Sequence, residues 1–331
     1  MAPEPDTALI SPVLAYDVTG VRVEDCEISG HGQHGLIMNG TDSGVDSSRV
    51  YSVGCSGVRV AGGVPRTLKA ARMFATSNLI SNFSLVKRTY VPGIFWQGVG
   101  NHYSYNTITN GPHNCILGGG NENWPWGQFV NPEEMGSGSQ CTFEGNTLDM
   151  CAYECGSDCG AFYTCGQGGQ AWVNRGNVLR NATFRNIGAH AVYLDDMMSG
   201  WTIEDSVIDG ADTGIMIGGG RRNRVRNNQF TNMTVSAVTL LNVGLNFEYA
   251  GCKSTANGSM SWGVKELLYP GSPWAAAYPE LLNVTTDAAC APAWCEVTGN
   301  RYSGVKTFLA STADSSSFPP WHVTVANNTE V

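Results

Sequence analysis

The chain has 331 residues, 41 of them glycine, with 14% charged residues and a formal net charge of −9. A nucleic-acid partner would need a basic stripe, which this acidic balance does not supply, so that class is excluded. No run approaches the ~18 apolar residues of a membrane-spanning helix, and abundant glycine with little charge suits tight turns between stacked strands.

Met1–Gly20 (MAPEPDTALISPVLAYDVTG) has no basic start and no long apolar core, so it is not a signal peptide. Residues 1–19 are read as a lead-in, and an export signal is expected upstream of this chain. From about Val21 onward, short apolar runs alternate with polar turns. The repeat is clearest from Gly176 to Phe230, where GNVLRNATFRNIGAHAVYLDD is followed by SGWTIEDSVIDGADTGIMIGGG and RNRVRNNQFTNMT. About 22–25 residues per repeat with period-2 alternation marks a parallel β-solenoid.

Each repeat closes on a third short strand. The aligned set is Leu36-Ile37-Met38, Val58-Arg59-Val60, Ile94-Phe95-Trp96, Cys115-Ile116-Leu117, Ala161-Phe162-Tyr163, Ala191-Val192-Tyr193, Ile215-Met216-Ile217 and Ala237-Val238-Thr239. These predict an all-β, right-handed parallel β-helix over 20–331, interrupted by insertions at 63–90, 121–138 and 241–293. Glycine often precedes the third strand (Gly35, Gly57, Gly93, Gly160, Gly214), consistent with a tight turn. Asn106, Asn146, Asn186, Asn227 and Asn228 follow second strands and are expected to stack as hydrogen-bonding ladders. The last insertion carries Trp262, Trp274 and Tyr278, which either stack on sugar rings or pack over the solenoid. The first coil has no capping helix ahead of it, so its strand edges are a candidate self-association surface.

The eleven cysteines point to an oxidising compartment. Cys141, Cys151, Cys155, Cys159 and Cys165 crowd together, while Cys252, Cys290 and Cys295 flank the last insertion; these eight are the disulfide candidates. A metal site at Cys151-x3-Cys155-x3-Cys159 is disfavoured, because no Cys-x2-Cys pair or histidine partner accompanies it. Asn-x-Ser/Thr sequons at Asn39, Asn82, Asn181, Asn232, Asn257, Asn283 and Asn327 are N-glycosylation candidates, again pointing to secretion.

Two acidic segments lie on adjacent coils: Ser157-Asp158-Cys159-Gly160 before one third strand, and Tyr193-Leu194-Asp195-Asp196 at the next. Adjacent carboxylates repel unless a proton, cation or ligand uses them. Two carboxyl groups facing one groove are what cleavage of a glycosidic bond requires, one protonating the leaving oxygen and the other activating water or attacking carbon. A structural cluster, capping turns or holding Ca²⁺ through oxygen ligands, is the alternative. Asp158 precedes its strand while Asp195 follows its own, so only a bent turn brings them together. His31 and His34 sit in a glycine-rich turn without an evident partner. The Gly218-Gly219-Gly220 triplet has no following helix pattern and is not a phosphate loop.

Several motifs occur in a telling succession: Lys87-Arg88-Thr89-Tyr90, Gly98-Val99-Gly100-Asn101, Gly111-Pro112-His113-Asn114, Ser157-Asp158-Cys159-Gly160-Ala161-Phe162-Tyr163, Tyr193-Leu194-Asp195-Asp196 and Ser272-Pro273-Trp274. Through them the chain resembles the C-terminal part of the right-handed parallel β-helix group that includes glycoside hydrolase family 141. The resemblance implies a carbohydrate-active enzyme acting on a polysaccharide or glycan, with Asp158 and Asp195 or Asp196 catalytic. It also implies Arg88 and His113 as substrate contacts, with Glu122, Trp96 and Arg221 completing the candidate set; no resident cofactor is expected. Cys165-Gly166-Gln167-Gly168 replaces the group's Gly-Arg-Asp-Trp, and Leu241-Asn242 stands where an acidic residue is usual. An inactive, glycan-binding or structural solenoid therefore remains one alternative. A polysaccharide lyase with Arg88 or Lys87 as base is another.

Overall fold

A computed structural model of the protein describes residues 11–120, 138–156, 158–165, 173–243, 264–265, 267–284, 286, 292–311 and 323–331. Successive coils pair in parallel, and each coil visits three faces in a fixed order. One coil shows the pattern: Leu36–Thr41 lies on the first face, Gly44–Asp46 on the second and Arg49–Tyr51 on the third, and Val58–Gly62 returns to the first. The second face is a 10-stranded sheet of its own. The first and third merge into one 18-stranded set, because Val207–Ile217 and Gln229–Leu240 run unbroken around the corner between them.

Corners are made by residues in the left-handed region. Between the second and third faces, Ser47, Ser77, Tyr105, Gly145, Asn181, Asp205 and Asn227 all have φ between 49° and 65°. Such a residue turns the chain in a single step, so only two residues separate the strands on either side of this corner. The amide that follows points into the interior, where no water can reach it, and needs an acceptor from the next coil.

Stacked side chains supply that acceptor. Asn78 N donates to Asn106 Oδ1 at 3.1 Å, and Asn106 N to Asn146 Oδ1 at 3.0 Å. A second run links Ala182 N to Ser206 Oγ, Ser206 N to Asn228 Oδ1, Asn228 N to Asn300 Oδ1 and Asn300 N to Asn328 Oδ1. The expected asparagine ladder is therefore real, with Asn106, Asn146 and Asn228 as rungs. Asn186 and Asn227 are instead left-handed corner residues. Ala182 occupies a rung position without an acceptor, so the ladder is broken between Asn146 and Ser206.

On the first face, side chains alternate strictly. Ile94, Ile116, Phe162, Val192, Ile215 and Val238 point inward in register, and a one-residue slip would exchange core and surface. This phase corrects the sequence alignment at three steps. Ile94 pairs with Ile116 rather than Cys115, Val192 rather than Ala191 pairs with Ile215, and Ile215 pairs with Val238 rather than Ala237. Val13–Thr19 already pairs with Leu36–Thr41, so strand structure begins inside the expected lead-in. The 63–90 segment is not wholly an insertion either, since it contributes Phe74–Thr76 and Leu79–Ser81 to the stack.

The described part of the 241–293 insertion forms a short helix, Pro273–Ala277, and a 3₁₀ turn, Pro279–Asn283. Ser272 caps the helix, its Oγ accepting from Trp274 N at 3.1 Å. Trp274 is fully buried with Val173, Met197, Leu267 and Leu281, and its Nε1 donates to Pro65 O at 2.9 Å. Packing rather than sugar stacking thus accounts for Trp274. Glu280 pairs with buried Arg175 at 3.0 Å, pinning the insertion to the solenoid.

The broken rung gives a stability test. In Ala182→Ser the new Oγ is placed to accept from Asn146 N, as Ser206 Oγ accepts from Ala182 N and Ser48 Oγ from Cys26 N. Urea unfolding should show a gain of about 1 kcal/mol. Asn106→Ala, which strips acceptors from both Asn78 N and Asn78 Nδ2, should cost about 3 kcal/mol.

Candidate active site

Outward positions of the first face form a row that runs along the solenoid, one residue per coil: Arg59, Phe95, Leu117, Tyr163, Tyr193 and Met216. Parallel pairing holds neighbouring members about 4.8 Å apart. Toward one end Arg59 lies over the Phe95 ring at 4.1 Å. In the middle Tyr163 and Tyr193 meet edge-on with ring centroids 5.2 Å apart. Two residues further along the same strands, Cys165 and Asp195 are paired in register.

The carboxyl groups gather at these tyrosines. Tyr163 donates its hydroxyl to Asp195 Oδ2 at 2.7 Å, and Tyr193 is a further donor to the same carboxyl group. Asp196 N donates to Asp195 Oδ1 at 2.7 Å. Asp196 and Met197 both take left-handed conformations, so the chain turns sharply there and Met198 N bonds back to Asp195 O. Met197 is buried under the Trp274 insertion, which anchors that turn. Cys165 Sγ lies 3.3 Å from Asp196 Oδ2 as a weak donor.

Asp158 arrives from the opposite edge of the face, on the bent connection between Cys151 and Gly160. Tyr90 donates its hydroxyl to Asp158 Oδ2 at 2.9 Å, and the Tyr90 ring lies 6.1 Å from that of Tyr163. Asp158 is exposed, whereas Asp195 is buried and Asp196 half-buried. The three acids thus share one flank, and the charge of Asp158 contributes to the titration of both others.

Burial is the main cause that raises the pKa of Asp196, to about 7; the charge of Asp195 adds to it. Burial also raises Asp195, but the Tyr163 hydroxyl, the Asp196 amide and the Tyr193 hydroxyl pull it back. Three donors favour the charged form of Asp195, while Asp196 has only a thiol. Asp196 is therefore the better proton holder of the two. Cys165, buried beside two acids, is driven up by burial and remains a thiol. Its sulfur gives the Cys165–Asp195–Asp196 cluster a donor set unlike the six to eight oxygens that Ca²⁺ takes.

The other candidates occupy different places. Arg88 is exposed and forms a two-point ion pair with Glu154, so its guanidinium is already engaged. His113 is buried beneath Tyr90, ring centroids 4.6 Å apart, with Nδ1 2.7 Å from Asn114 Oδ1; burial lowers its pKa. It supports Tyr90 rather than facing the flank. Trp96 points inward and packs edge-on against Trp201 and Phe143, the phase opposite to Phe95. Arg221 is buried, donates to Val284 O at 2.7 Å and lies over Trp294, so it tethers the late insertion. Glu122 lies outside the described residues.

The cysteines also rearrange the expectation. Disulfides join Cys115 to Cys151 and Cys155 to Cys159, while Cys141, Cys165 and Cys295 are buried free thiols. Cys141 and Cys295 occupy the same inner corner four coils apart, roughly 19 Å, and cannot meet. Cys252, Cys290 and Asn257 lie outside the described residues. The remaining sequon asparagines are all exposed. Tyr90, Tyr163 and Tyr193 figure in the sequence only within motifs, and Cys165 only as a disulfide candidate and a departure from the resembled group; none of them stands out there as a site residue. The two strand tyrosines share an outward register position, a signal that alternation alone makes readable.

The family model for the right-handed beta helix region matches residues 169–263. Among solved structures, the catalytic unit of the thermostable GH87 α-1,3-glucanase from Streptomyces thermodiastaticus strain HF3-3 is similar, with a TM-score of 0.56 and 12% identity. The match covers 98% of this chain and 51% of that one, so the chain spans about half the length of that structure. No curated protein matches the sequence. The all-β, right-handed parallel β-helix expected from the repeats is thereby established; at this identity the likeness speaks for the fold alone.

The raised Asp196 carboxyl yields a measurable sign. Asp196 titrates near 7 in the folded chain against an ordinary 3.8, so the fold prefers its protonated form. Its contribution to stability is full below about pH 4 and is lost as pH rises through 7. The unfolding free energy of wild type minus that of Asp196→Asn should therefore fall steadily between those values in urea titrations.

Proposed function

We propose that the chain is the β-helix of a secreted glycoside hydrolase that cleaves a polysaccharide with two or more carboxyl groups on its first face. One observation carries the reading: buried Asp195 and half-buried Asp196 stand side by side, hydrogen-bonded to each other through the Asp196 amide, with exposed Asp158 on the same flank. Asp196, still half protonated near neutrality, donates to the leaving glycosidic oxygen. Asp195, which accepts from the Tyr163 hydroxyl, or Asp158, which accepts from the Tyr90 hydroxyl, activates water or attacks the anomeric carbon. Tyr163, Tyr193 and Cys165 form a buried cluster, with Leu117 and Met216 packed against it, that walls the carboxyl pair on this face. The glucanase with the same fold, the family 141 resemblance and the two disulfides support this assignment.

The lyase reading loses one of its two bases, because the Glu154 carboxylate holds the Arg88 guanidinium charged. The inactive-solenoid reading draws on Gln167, which stands where the resembled group has an acid, and on Cys165, which gives Asp196 only a weak donor. The three readings separate in one experiment on a panel of plant, algal and microbial polysaccharides, in which ultraviolet absorbance of an unsaturated product sugar would mark a lyase. Wild type should release reducing ends, with kcat falling toward high pH around 7 as Asp196 loses its proton. Asp195→Asn and Asp196→Asn should each lower kcat by about 10²–10⁴-fold without loss of fold. Full activity in both variants refutes the assignment; oligosaccharide binding without turnover in wild type establishes the inactive solenoid instead.

A further inference from the structure

Cys155 and Cys159 flank Asp158 on the connection that crosses the edge of the first face, and their Cα atoms are 6.1 Å apart. Cys159 is buried, Cys155 half-buried. The sequence spacing Cys-x3-Cys has no histidine near it in the chain, yet the fold provides one. His113, on the Gly111–Asn114 turn of the preceding coil, brings a ring nitrogen so close that one ligand atom from each of the three residues lies within 4.8 Å of the others.

The histidine is set up for ligation in three respects. Asn114 Nδ2 donates to Gly160 O at 2.9 Å, which turns Asn114 Oδ1 toward His113 as an acceptor. The proton therefore sits on Nδ1 and the lone pair on Nε2, the arrangement in which a metal-bound histidine has its other nitrogen fixed by a second partner. The ring is buried and neutral, held in place under Tyr90. Two thiolates bound tetrahedrally to one Zn²⁺ at ~2.3 Å stand about 3.8 Å apart, within the 4.8 Å cluster, so little backbone movement is needed.

We propose that reduced Cys155 and Cys159 form with His113 a Cys₂His site for a divalent cation of the zinc class. The site is an alternative to the Cys155–Cys159 disulfide. Conversion requires a dithiol reductant. It gives two electrons and two protons to the S–S bond, leaving as its own disulfide and generating two thiols. Metal binding then releases one proton from each sulfur as the two metal–sulfur bonds form. Three protein ligands leave the fourth position to water. Either cross-link closes the same loop around Asp158, so the loop remains pinned in both redox states.

The full chain is reduced with a dithiol, freed of reductant under inert gas and titrated with Co²⁺ as spectroscopic probe. One equivalent should produce a thiolate-to-cobalt charge-transfer band that the oxidised chain does not show. Zn²⁺ should displace the cobalt and shield Cys155 and Cys159 from alkylation, as mapped by mass spectrometry. Cys155→Ser and Cys159→Ser should each abolish the band, His113→Gln should weaken binding at least about tenfold, and Cys141→Ser should leave it intact. Circular dichroism reports whether each reduced chain keeps its strands. The proposal is overturned if the reduced wild type gives no band, whether folded or not. It is equally overturned if the band survives in the Cys155→Ser, Cys159→Ser double variant, or if metal leaves both cysteines as open to alkylation as before.

Discussion

Every coil of this protein must dispose of backbone amides that its corners aim into a dry interior, and the remainder of the architecture follows from how it does so. A left-handed residue makes the turn, and the next amide is bonded by an asparagine or serine one coil on. The rung cannot slip, because each of these bonds fixes the position of one coil on its neighbour. Buried amide stacks of this kind are strong only if complete. The single alanine at position 182 is therefore a real local weakness, and Thr183 N still bonds Asn146 O to hold the strands in line there.

Fixed rungs place chemistry by simple arithmetic. Tyr163 lies one coil from Tyr193, and Cys165 one coil from Asp195, because the strands that carry them are in register. The tyrosines exclude water from the carboxyl groups and at the same time donate hydrogen bonds to them. Burial raises Asp195 and Asp196 together, and the uneven supply of donors separates their roles. The late insertion contributes from outside by burying Met197 and spanning from Pro65 to Arg175, which stiffens the turn at Asp196.

Much of this was readable in the residues. The period-2 runs and the short third strands revealed the solenoid, and the Asp158 and Asp195-Asp196 segments do lie on one flank. What alternation leaves undetermined is its phase, which is why Cys115 and Ala191 seemed interchangeable with Ile116 and Val192, and why Trp96 looked like a surface residue. The corners were hidden because Ser47, Tyr105 and Asp205 take conformations usually left to glycine. Tyr90 and His113 belong to connections whose path depends on coils far away in the chain, and the Cys115–Cys151 bond bridges neighbouring coils. No local pattern encodes such meetings.

The three corners of each coil are not equally free. The one between the second and third faces always spends two residues, from Glu24 and Glu27 at one end to Ala326 and Thr329 at the other. Length varies only at the two edges that border the tyrosine row: on one, Gly118 is followed by a strand at Thr142 and Leu240 by one at Glu296; on the other, Ser81 is followed by a strand at Ile94 and Arg185 by one at His190. Floor and banks are thus separate inheritances. Under the proposed function, a change of span along either bank reshapes the border of the row, while Asp195 keeps the place that strand register gives it.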